Sequence, residues 1–366
     1  MPTGGAGGVT MSEQTSPQSS FRVQEEDPAT LLEPLAELLR ATRNRTERDA
    51  VQLLRWKYLD NPDGQAVVWT IRSQRGELVG FTACIPRRTH VAGRGLVAWN
   101  GADFSILPQF RTLGPAIELR RQATIAITQG RADFLYAHPN SQMAAVHRRV
   151  GHLALGEMQR WARPLGVAER LPTGGWKTPL RSIARLVIDP LLHCAQSPLL
   201  LRSRGVRVAP RVEFDERFDR LFARHAGRFE VVGVRDARYL NWRWAPDSGT
   251  NAQLLLDELD SEVQGFAIVT EQPDQLLVRD LFPAHEPQVV QRLLAAASRQ
   301  AIARRRPNVS FTLLASSPLH SLLPNQLFSR RADASEAFVF FPPNRADLEP
   351  VGRASAWYLT SGDRDV

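Results

Sequence analysis

Short periodic runs of apolar residues predict the secondary structure of this chain. Residues 27–44 and 46–64 carry apolar side chains at helical spacing, behind Asp27 and Thr46 as caps. Three strand patterns follow, AVVWTIR, ELVGFTACIP and THVAGRGLVAW, and DFSIL continues them as a fourth strand. A helix (AIELRRQATIAITQ), a strand (ADFLYAHPN) and a helix (SQMAAVHRRVG) come next. This order predicts an α+β fold with one mixed, mostly antiparallel central sheet flanked by helices.

The second half of the chain repeats this order. LLRWKYLDNPDG at 53–64 aligns with YLNWRWAPDSG at 239–249 and places Trp56 over Trp242. ELVGFTACI at 77–85 aligns with EVQGFAIVT at 262–270, and the two offsets differ by one residue. Two ordered matches at nearly one offset predict an internal duplication. We therefore expect a disordered tail (1–27), an N-terminal domain (28–164), a helical connector (165–214), a C-terminal domain (215–345) and a C-terminal tail (346–366).

Composition limits the class of protein and its partners. The 366 residues are 43% hydrophobic and 23% charged, which is typical of a soluble globular protein of two domains. No apolar run is long enough to span a membrane and no secretory signal is present, so we expect a cytoplasmic protein. The spacing of the two cysteines predicts neither a disulfide nor a metal site, and Cys84 fits a buried, inert thiol.

The net charge of +8 favours anionic ligands, among them phosphorylated cofactors, acidic glycans, membrane surfaces and nucleic acid. No nucleic-acid motif is present, so nucleic acid is not an expected partner. The connector alternates apolar clusters with arginines. This pattern predicts a helical cover over the seam between the halves, and its alternative is a weak peripheral contact with an anionic membrane.

The turn RTLGPA, at 111–116, predicts a phosphate site. Arg111 supplies positive charge, Gly114 allows close backbone approach, and Pro115 suits the first helical position. The N-terminus of the following helix directs unpaired N–H groups and a positive dipole at the turn. The backbone donors would come from Thr112, Leu113, Gly114 and Ala116.

The spacing around this turn resembles a known family. Arg-x-x-Gly-x-Ala after a strand ending in Ile-x-Pro is similar to the pyrophosphate motif of the GNAT acyl-CoA N-acyltransferases. Downstream, Asn140, Met143, Val146–His147 and Gly151–His152 match the spacing of a second family pattern, with histidines in place of its Tyr and Phe. The resemblance covers about Leu31 to Pro164 and extends more weakly, through the duplication, to about Phe341. In the second copy the corresponding turn reads AHEPQ and lacks Arg-x-x-Gly, so that copy is expected to be degenerate.

The resemblance implies acetyl transfer from acetyl-CoA, as co-substrate, to an amine, with no metal. It places the thioester where the fourth and fifth strands part, with the backbone near Ile106 and Leu107 polarising the carbonyl. His147 takes the position of the family's Tyr acid, and the alternative is a histidine on the helix surface. Asp103 is the candidate base, and the alternative is a carboxylate paired with an arginine.

Asn140 either binds the pantetheine arm or caps the helix that begins at Ser141. Tyr136 and His138 face the same region, and structural roles are expected for both. The leading hypothesis is an N-acetyltransferase acting on a primary amine of a small molecule, such as an amino sugar or an aminoacyl compound. The alternatives are a non-catalytic acyl-CoA-binding regulator and an aminoacyl or long-chain acyl transferase. The sequence predicts neither the identity of the acceptor nor the oligomeric state.

Overall fold

The computed structural model describes residues 21–43, 50–166 and 184–364. Its helices are α1 (Leu32–Arg43), α2 (Ala50–Tyr58), α3 (Leu113–Thr128), α4 (Ser141–Arg149), α5 (Asp189–Leu200), α6 (Glu216–His225), α7 (Ala237–Arg243) and α8 (Pro287–Ala303). Its strands are β1 (Phe21–Glu26), β2 (Val67–Ser73), β3 (Leu78–Val91), β4 (Arg94–Ile106), β5 (Phe134–Ala137), β6 (Leu153–Pro164), β7 (Val206–Val208), β8 (Val231–Gly233), β9 (Ala252–Leu259), β10 (Glu262–Gln272), β11 (Gln275–Phe282), β12 (Asn308–Leu314), β13 (Ser329–Phe340) and β14 (Trp357–Tyr358). Within the described ranges, no helix is long and apolar enough to cross a membrane.

All of these strands belong to one mixed sheet, which confirms the predicted α+β fold. Its main path runs β1-β2-β3-β4-β5-β13-β6-β12-β11-β10-β9-β7, and β8 joins it through β3. Parallel pairing is recorded for β4–β5, β11–β12 and β8–β14, and the other recorded pairs are antiparallel. The halves have the same element order, with α2, β2–β4, α3 and β5 matched by α7, β9–β11, α8 and β12.

The two halves exchange strands. The last strand of the first half, β6, pairs with β12, whereas β13 of the second half pairs with β5. The two exchanged strands also pair with each other. The sheet is therefore continuous from one half to the other.

The aligned tryptophans contact each other between the two halves. Trp56 and Trp242 stack with their ring centroids 5.0 Å apart and an interplanar angle of 20°. The Trp56 indole N–H donates to Trp242 O at 2.8 Å, and the Trp242 indole donates to Trp56 O at 2.9 Å. The two aligned segments therefore make the same contact on each other.

Three sequence-based predictions need correction. The tail predicted to reach residue 27 is wrong for Phe21–Glu26, which form β1 against β2; residues 1–20 lie outside the described residues. The separate strand predicted over THVAGRGLVAW is instead a hairpin, because ELVGFTACIP runs on through Arg87 and Arg88 as β3 and turns at Ala92 and Gly93, whose φ angles are 46° and 86°.

The third correction concerns residues 346–364, which were predicted to be a tail. Trp357–Tyr358 pair with β8, and the Asp363 carboxylate is buried with the Arg235 guanidinium 2.6 Å away. The described part of the connector contains α5 and the edge strand β7. Residues 167–183 of the connector lie outside the described residues.

The first half packs both faces of its sheet. On one face, Trp99 and Ile106 of β4 join a cluster with Leu119 and Ala123 of α3. On the other face, Ala102 of β4 joins a cluster built largely from α1 and α2. Strand β4 therefore lies between two helical layers.

Candidate functional site

The site is a cavity where β4 and β5 part. The two strands pair in parallel from Ala98–Phe134 to Gly101–Ala137, and the pairing ends there. Beyond this point lies a cavity of about 130 Å³, lined by segments of β4 and of the chain after β5, together with side chains of α3 and α4. This is where the resemblance places the thioester.

Asp103 is the extra residue of a β-bulge in this wall. Thr82 pairs with Phe104 and Ala83 pairs with Ala102, so Asp103 has no partner in the β3–β4 register, and its φ is 29°. A bulge places two successive side chains on one face of a strand. The Asp103 carboxylate therefore points, like Ala102, towards α2.

The Asp103 carboxylate is 5% exposed and bonded to α2. Its Oδ2 accepts from Lys57 Nζ at 2.7 Å and from Tyr58 Oη at 2.9 Å. The Asp103 carboxylate is thus paired with a lysine from another element, whereas the alternative considered from the sequence was pairing with an arginine. No local sequence pattern indicates this contact, because Lys57 lies on a helix 46 positions earlier.

The backbone N–H groups of β4 differ in availability. The Leu107 N–H donates to Val79 O at 2.8 Å, so it is already bonded. Because antiparallel pairs alternate, the N–H groups of Phe104 and Ile106 point away from β3, to the side on which β5 has left the sheet. Ile106 O on that side accepts from Arg111 Nε at 2.8 Å. The geometry therefore offers Phe104 and Ile106, rather than Leu107, as donors to a carbonyl.

The N-terminus of α3 follows directly. The helix begins at Leu113, with Pro115 at its third position, and Thr112 caps it without a side-chain bond. The Thr112 N–H donates to Phe110 O at 2.8 Å, whereas the first-turn N–H groups of Leu113 and Gly114 have no intrahelical acceptor. A Cβ added at Gly114 would meet nothing within 4 Å. The turn is thus open to an anion on its outer side.

The two histidines of the second family pattern form a buried pair. His147 Nδ1 and His152 Nδ1 lie 2.8 Å apart, and Thr124 Oγ1 is 3.1 Å from His152 Nε2. Burial, reinforced by the nearby Arg120 charge, lowers the pKa of His147 well below 6.5 and that of His152 to about 3. Both rings are therefore neutral at pH 7. His147 lines the cavity and is 2% exposed, which excludes the alternative of a surface histidine.

His138 and Arg120 add polar groups that the sequence did not single out as functional. His138, 5% exposed, lines the cavity, and neither of its ring nitrogens has a hydrogen-bond partner in the described part of the chain. Burial lowers its pKa to about 3. Arg120 of α3 donates to Thr82 Oγ1 at 2.9 Å, and a Cβ on Gly101 would lie 2.8 Å from its Nη1. Gly101 is therefore needed to admit this arginine.

Asn140 caps α4. Its Oδ1 accepts from the Met143 N–H at 2.9 Å, and its side chain also borders the cavity. Of the predicted residues, the structure brings Asp103, Asn140 and His147 around one cavity. Ile106 lies at the end of β4, beside the Arg111 turn that leads to α3.

The second half has no equivalent turn. Before α8 stand His285 and Glu286, with the latter at the N-cap, and His285 Nε2 lies 2.9 Å from His225 Nδ1. A carboxylate at a helix N-terminus repels phosphate. A Cβ on Gly265 would come within 2.3 Å of the Val289 side chain, so the start of α8 packs directly on β10. At the turn before α8 the described chain therefore has no counterpart of the Arg-x-x-Gly that precedes α3.

Comparison with known proteins shows the fold. No protein-family model matches the sequence, and no curated protein does. Among solved structures, a GCN5-related N-acetyltransferase from Anabaena variabilis is similar with a TM-score of 0.62 and 16% identity, over 88% of this chain and 72% of that one. A putative acetyltransferase from Pyrococcus horikoshii has a TM-score of 0.55 and 11% identity over 97% and 98% of the chains.

A third similar structure is the N-myristoyltransferase of Saccharomyces cerevisiae with bound myristoyl-CoA. Its TM-score is 0.55 at 15% identity, over 90% of this chain and 81% of that one. These similarities extend over both halves of the chain. The protein therefore has a fold similar to that of the GNAT acyltransferases, in a two-half arrangement.

Proposed function

We propose that the protein is an N-acetyltransferase that moves an acetyl group from acetyl-CoA to a primary amine of a small molecule, such as an amino sugar or an aminoacyl compound. The observation that carries the proposal is the parting of β4 and β5 beside the open N-terminus of α3. The N-terminus of α3 would receive the pyrophosphate, and the gap between β4 and β5 would receive the thioester. Their adjacency suits a single acyl-CoA molecule.

The cofactor would bind through main-chain groups. The N–H groups of Leu113 and Gly114, with Arg111 beside them, would hold the pyrophosphate, whereas the N–H of Ala116, at the fourth helical position, donates within the helix. The acyl carbonyl would accept from the N–H of Phe104 or Ile106, which do not bond to β3. These donors are fixed before the reaction begins, so they stabilise the oxyanion of the tetrahedral intermediate without reorganisation.

The reaction joins the amine nitrogen to the thioester carbonyl carbon and breaks the C–S bond. The proton lost by the amine passes to Asp103, directly or through water, and on to solvent. Because His147 is neutral at pH 7, its ring acts as a hydrogen-bond donor to the departing thiolate and solvent supplies the proton. This role requires the tautomer in which His152 Nδ1–H donates to His147 Nδ1, leaving a proton on His147 Nε2.

The cavity volume favours a short acyl group. A cavity of roughly 150 Å³ holds one benzene molecule. The cavity here, about 130 Å³, suits an acetyl group and the end of the pantetheine arm rather than a long chain. Long-chain acyl transfer remains a second candidate because the two-half arrangement is shared with an N-myristoyltransferase.

Two measurements test the proposal. Isothermal titration should detect acetyl-CoA binding, and a thiol assay should detect CoA release with a panel of amines. Myristoyl-CoA in the same assay separates the two acyl classes. Acetyl-CoA binding without thiol release would favour the non-catalytic regulator, and absence of binding would contradict both the acetyltransferase and the regulator.

The cytoplasmic location and the weak membrane contact of the connector stay predictions.

A further inference from the structure

A second, smaller cavity lies between the two halves, beside the first. It has a volume of about 20 Å³ and is bordered by the stacked indoles of Trp56 and Trp242. Its walls also carry four basic side chains, Lys57, Arg87, Arg243 and Arg364, and no carboxylate. A cavity of this volume holds one water molecule or one small polar group.

Two of these arginines present unused donors. Arg87 is 3% exposed and Arg243 is 2% exposed. Arg87 Nε and Nη1 and Arg243 Nη1 are buried without a hydrogen-bond partner in the described residues. Buried polar groups are nearly always hydrogen-bonded, so donors left in this state at a cavity wall indicate a missing acceptor.

Neighbouring carboxylates do not accept hydrogen bonds from these unused donors. Asp63 and Asp363 each lie 3.7 Å from the Arg87 guanidinium, which is beyond hydrogen-bonding distance. Arg243 donates from Nε to Gly362 O and from Nη2 to Arg364 O, and both acceptors are uncharged carbonyls.

A further arginine, which does not border the cavity, lies near Arg243 and Arg364. Burial, and then the charges of Arg243 and Arg364, lower the pKa of Arg279 to about 10. A guanidinium pKa falls in this way where desolvation and like charges are not offset by an anion. The cavity therefore has buried guanidinium groups beside aromatic walls.

The two cavities share a wall. Lys57 borders the smaller cavity, and its ammonium bonds to Asp103, which borders the cavity where β4 and β5 part. The unused arginine donors and the Asp103 carboxylate thus lie on either side of Lys57, so a molecule that bridges them needs an amine at one end and an anionic group at the other. The planar fork of a guanidinium matches the two oxygens of a carboxylate.

We propose that the acceptor is an aminocarboxylate, of which a free amino acid is the simplest case, and that Arg87 and Arg243 bind its carboxylate. This inference rests on the proposed acyl transfer, since it names the acceptor class of that reaction. The small cavity admits the carboxylate alone, and the rest of the acceptor occupies the larger one. Asn100 Oδ1, also buried without a hydrogen-bond partner in the described residues, accepts from a polar hydrogen of the same molecule.

The first test uses the unchanged protein and matched acceptors. Thiol release with acetyl-CoA is measured for a series of amino acids and for their carboxamides, with rates corrected for the fraction of free amine. Hydrogen bonds to a charged group predict a kcat/KM that is about 10- to 100-fold higher for the acids. Equal values for acids and amides would overturn the inference and leave the proposed acetyl transfer intact.

The second test uses variants. Arg87→Met keeps an apolar contact on Tyr239, over whose ring the guanidinium stacks at 3.3 Å, and Arg364→Met removes a charge from the rim. Each should raise KM for the amino acid and leave both KM for the amide and the affinity for acetyl-CoA unchanged. Arg220→Met, at an exposed arginine of α6, is the matched control. If Arg87→Met does not fold, Arg364→Met and the acceptor series decide the question.

Direct binding measurements distinguish failure of the carboxylate site from failure of the proposed acetyl transfer. Titration of the amino acid in the absence of acetyl-CoA should give a measurable affinity that its amide lacks, and added salt should weaken it. Loss of this binding in Arg87→Met supports the site even if no acetyl transfer is found. Absence of amino-acid binding together with acetylation of neutral amines alone would overturn the inference.

Discussion

The buried pair of His147 and His152 makes the stability of the protein depend on pH. In the folded state both have a pKa below 6.5, and in the unfolded chain both titrate near 6.5. Below about pH 6.5, and for His152 down to about pH 3, the unfolded chain binds protons that the folded protein does not. The contribution of the two histidines to the free energy of unfolding is therefore complete above pH 6.5. It is lost as the pH falls, at up to about 1.4 kcal/mol per pH unit for each histidine.

Urea unfolding at pH 7 and pH 5 checks this prediction. The unchanged protein should lose stability between these values, and the double variant His147→Tyr/His152→Phe, which restores the aromatic residues of the family pattern, should lose less. His138, with its pKa of about 3, titrates in both proteins and leaves a residual slope. Equal losses of stability in the two proteins would show that the His147–His152 pair is not the source of the pH dependence.

At the scale of elements, the first turn of α3 is the feature that ligand binding tests most directly. Gly114→Trp should weaken acetyl-CoA binding by more than about 10-fold, because an indole would cover the N–H groups that would hold the pyrophosphate. The fold should tolerate it, since the space outside Gly114 is open.

Gly114→Ala is the matched control for this position. Its Cβ would meet nothing within 4 Å, and its helical φ suits alanine, so binding should stay within about threefold of the unchanged protein. Titration calorimetry on both variants gives the comparison. Unchanged affinity in Gly114→Trp would place the pyrophosphate elsewhere.

These elements also show what the sequence could predict. The turn at 111–116, α3 and the cap at Asn140 depend on neighbours a few positions away, and the pattern located all of them. The bulge at Asp103 and the contact of Lys57 with its carboxylate arise from pairing between distant segments. The same holds for β1, whose alternating FRVQEE is stable as a strand because it pairs with β2. No local pattern encodes such pairings.

At the scale of the whole molecule, the exchange of β6 and β13 ties the two halves together. Each half completes its sheet with a strand from the other, and the reciprocal indole bonds of Trp56 and Trp242 add a contact between the halves. Cooperative units coincide with shared cores and shared sheets. The halves should therefore unfold together, although they have the same order of elements.

Cys84 allows this cooperativity to be measured. Its thiol is buried in the first half, and burial raises its pKa to about 11, so it should resist thiol reagents until that half unfolds. Leu293→Ala removes a fully buried side chain from α8 in the second half and should reduce the free energy of unfolding by about 2–5 kcal/mol. If the halves unfold as one unit, this distant substitution should lower the urea concentration at which Cys84 reacts.

The matched control is Leu259→Ala, at a leucine that is 63% exposed, where the change should stay within about 0.5 kcal/mol. Cys194, which is exposed, reacts at all urea concentrations and serves as the internal reference for the labelling. If Leu293→Ala shifts the circular dichroism transition while the midpoint of Cys84 labelling stays in place, the halves unfold separately. The exchanged strands would then connect two independent folding units.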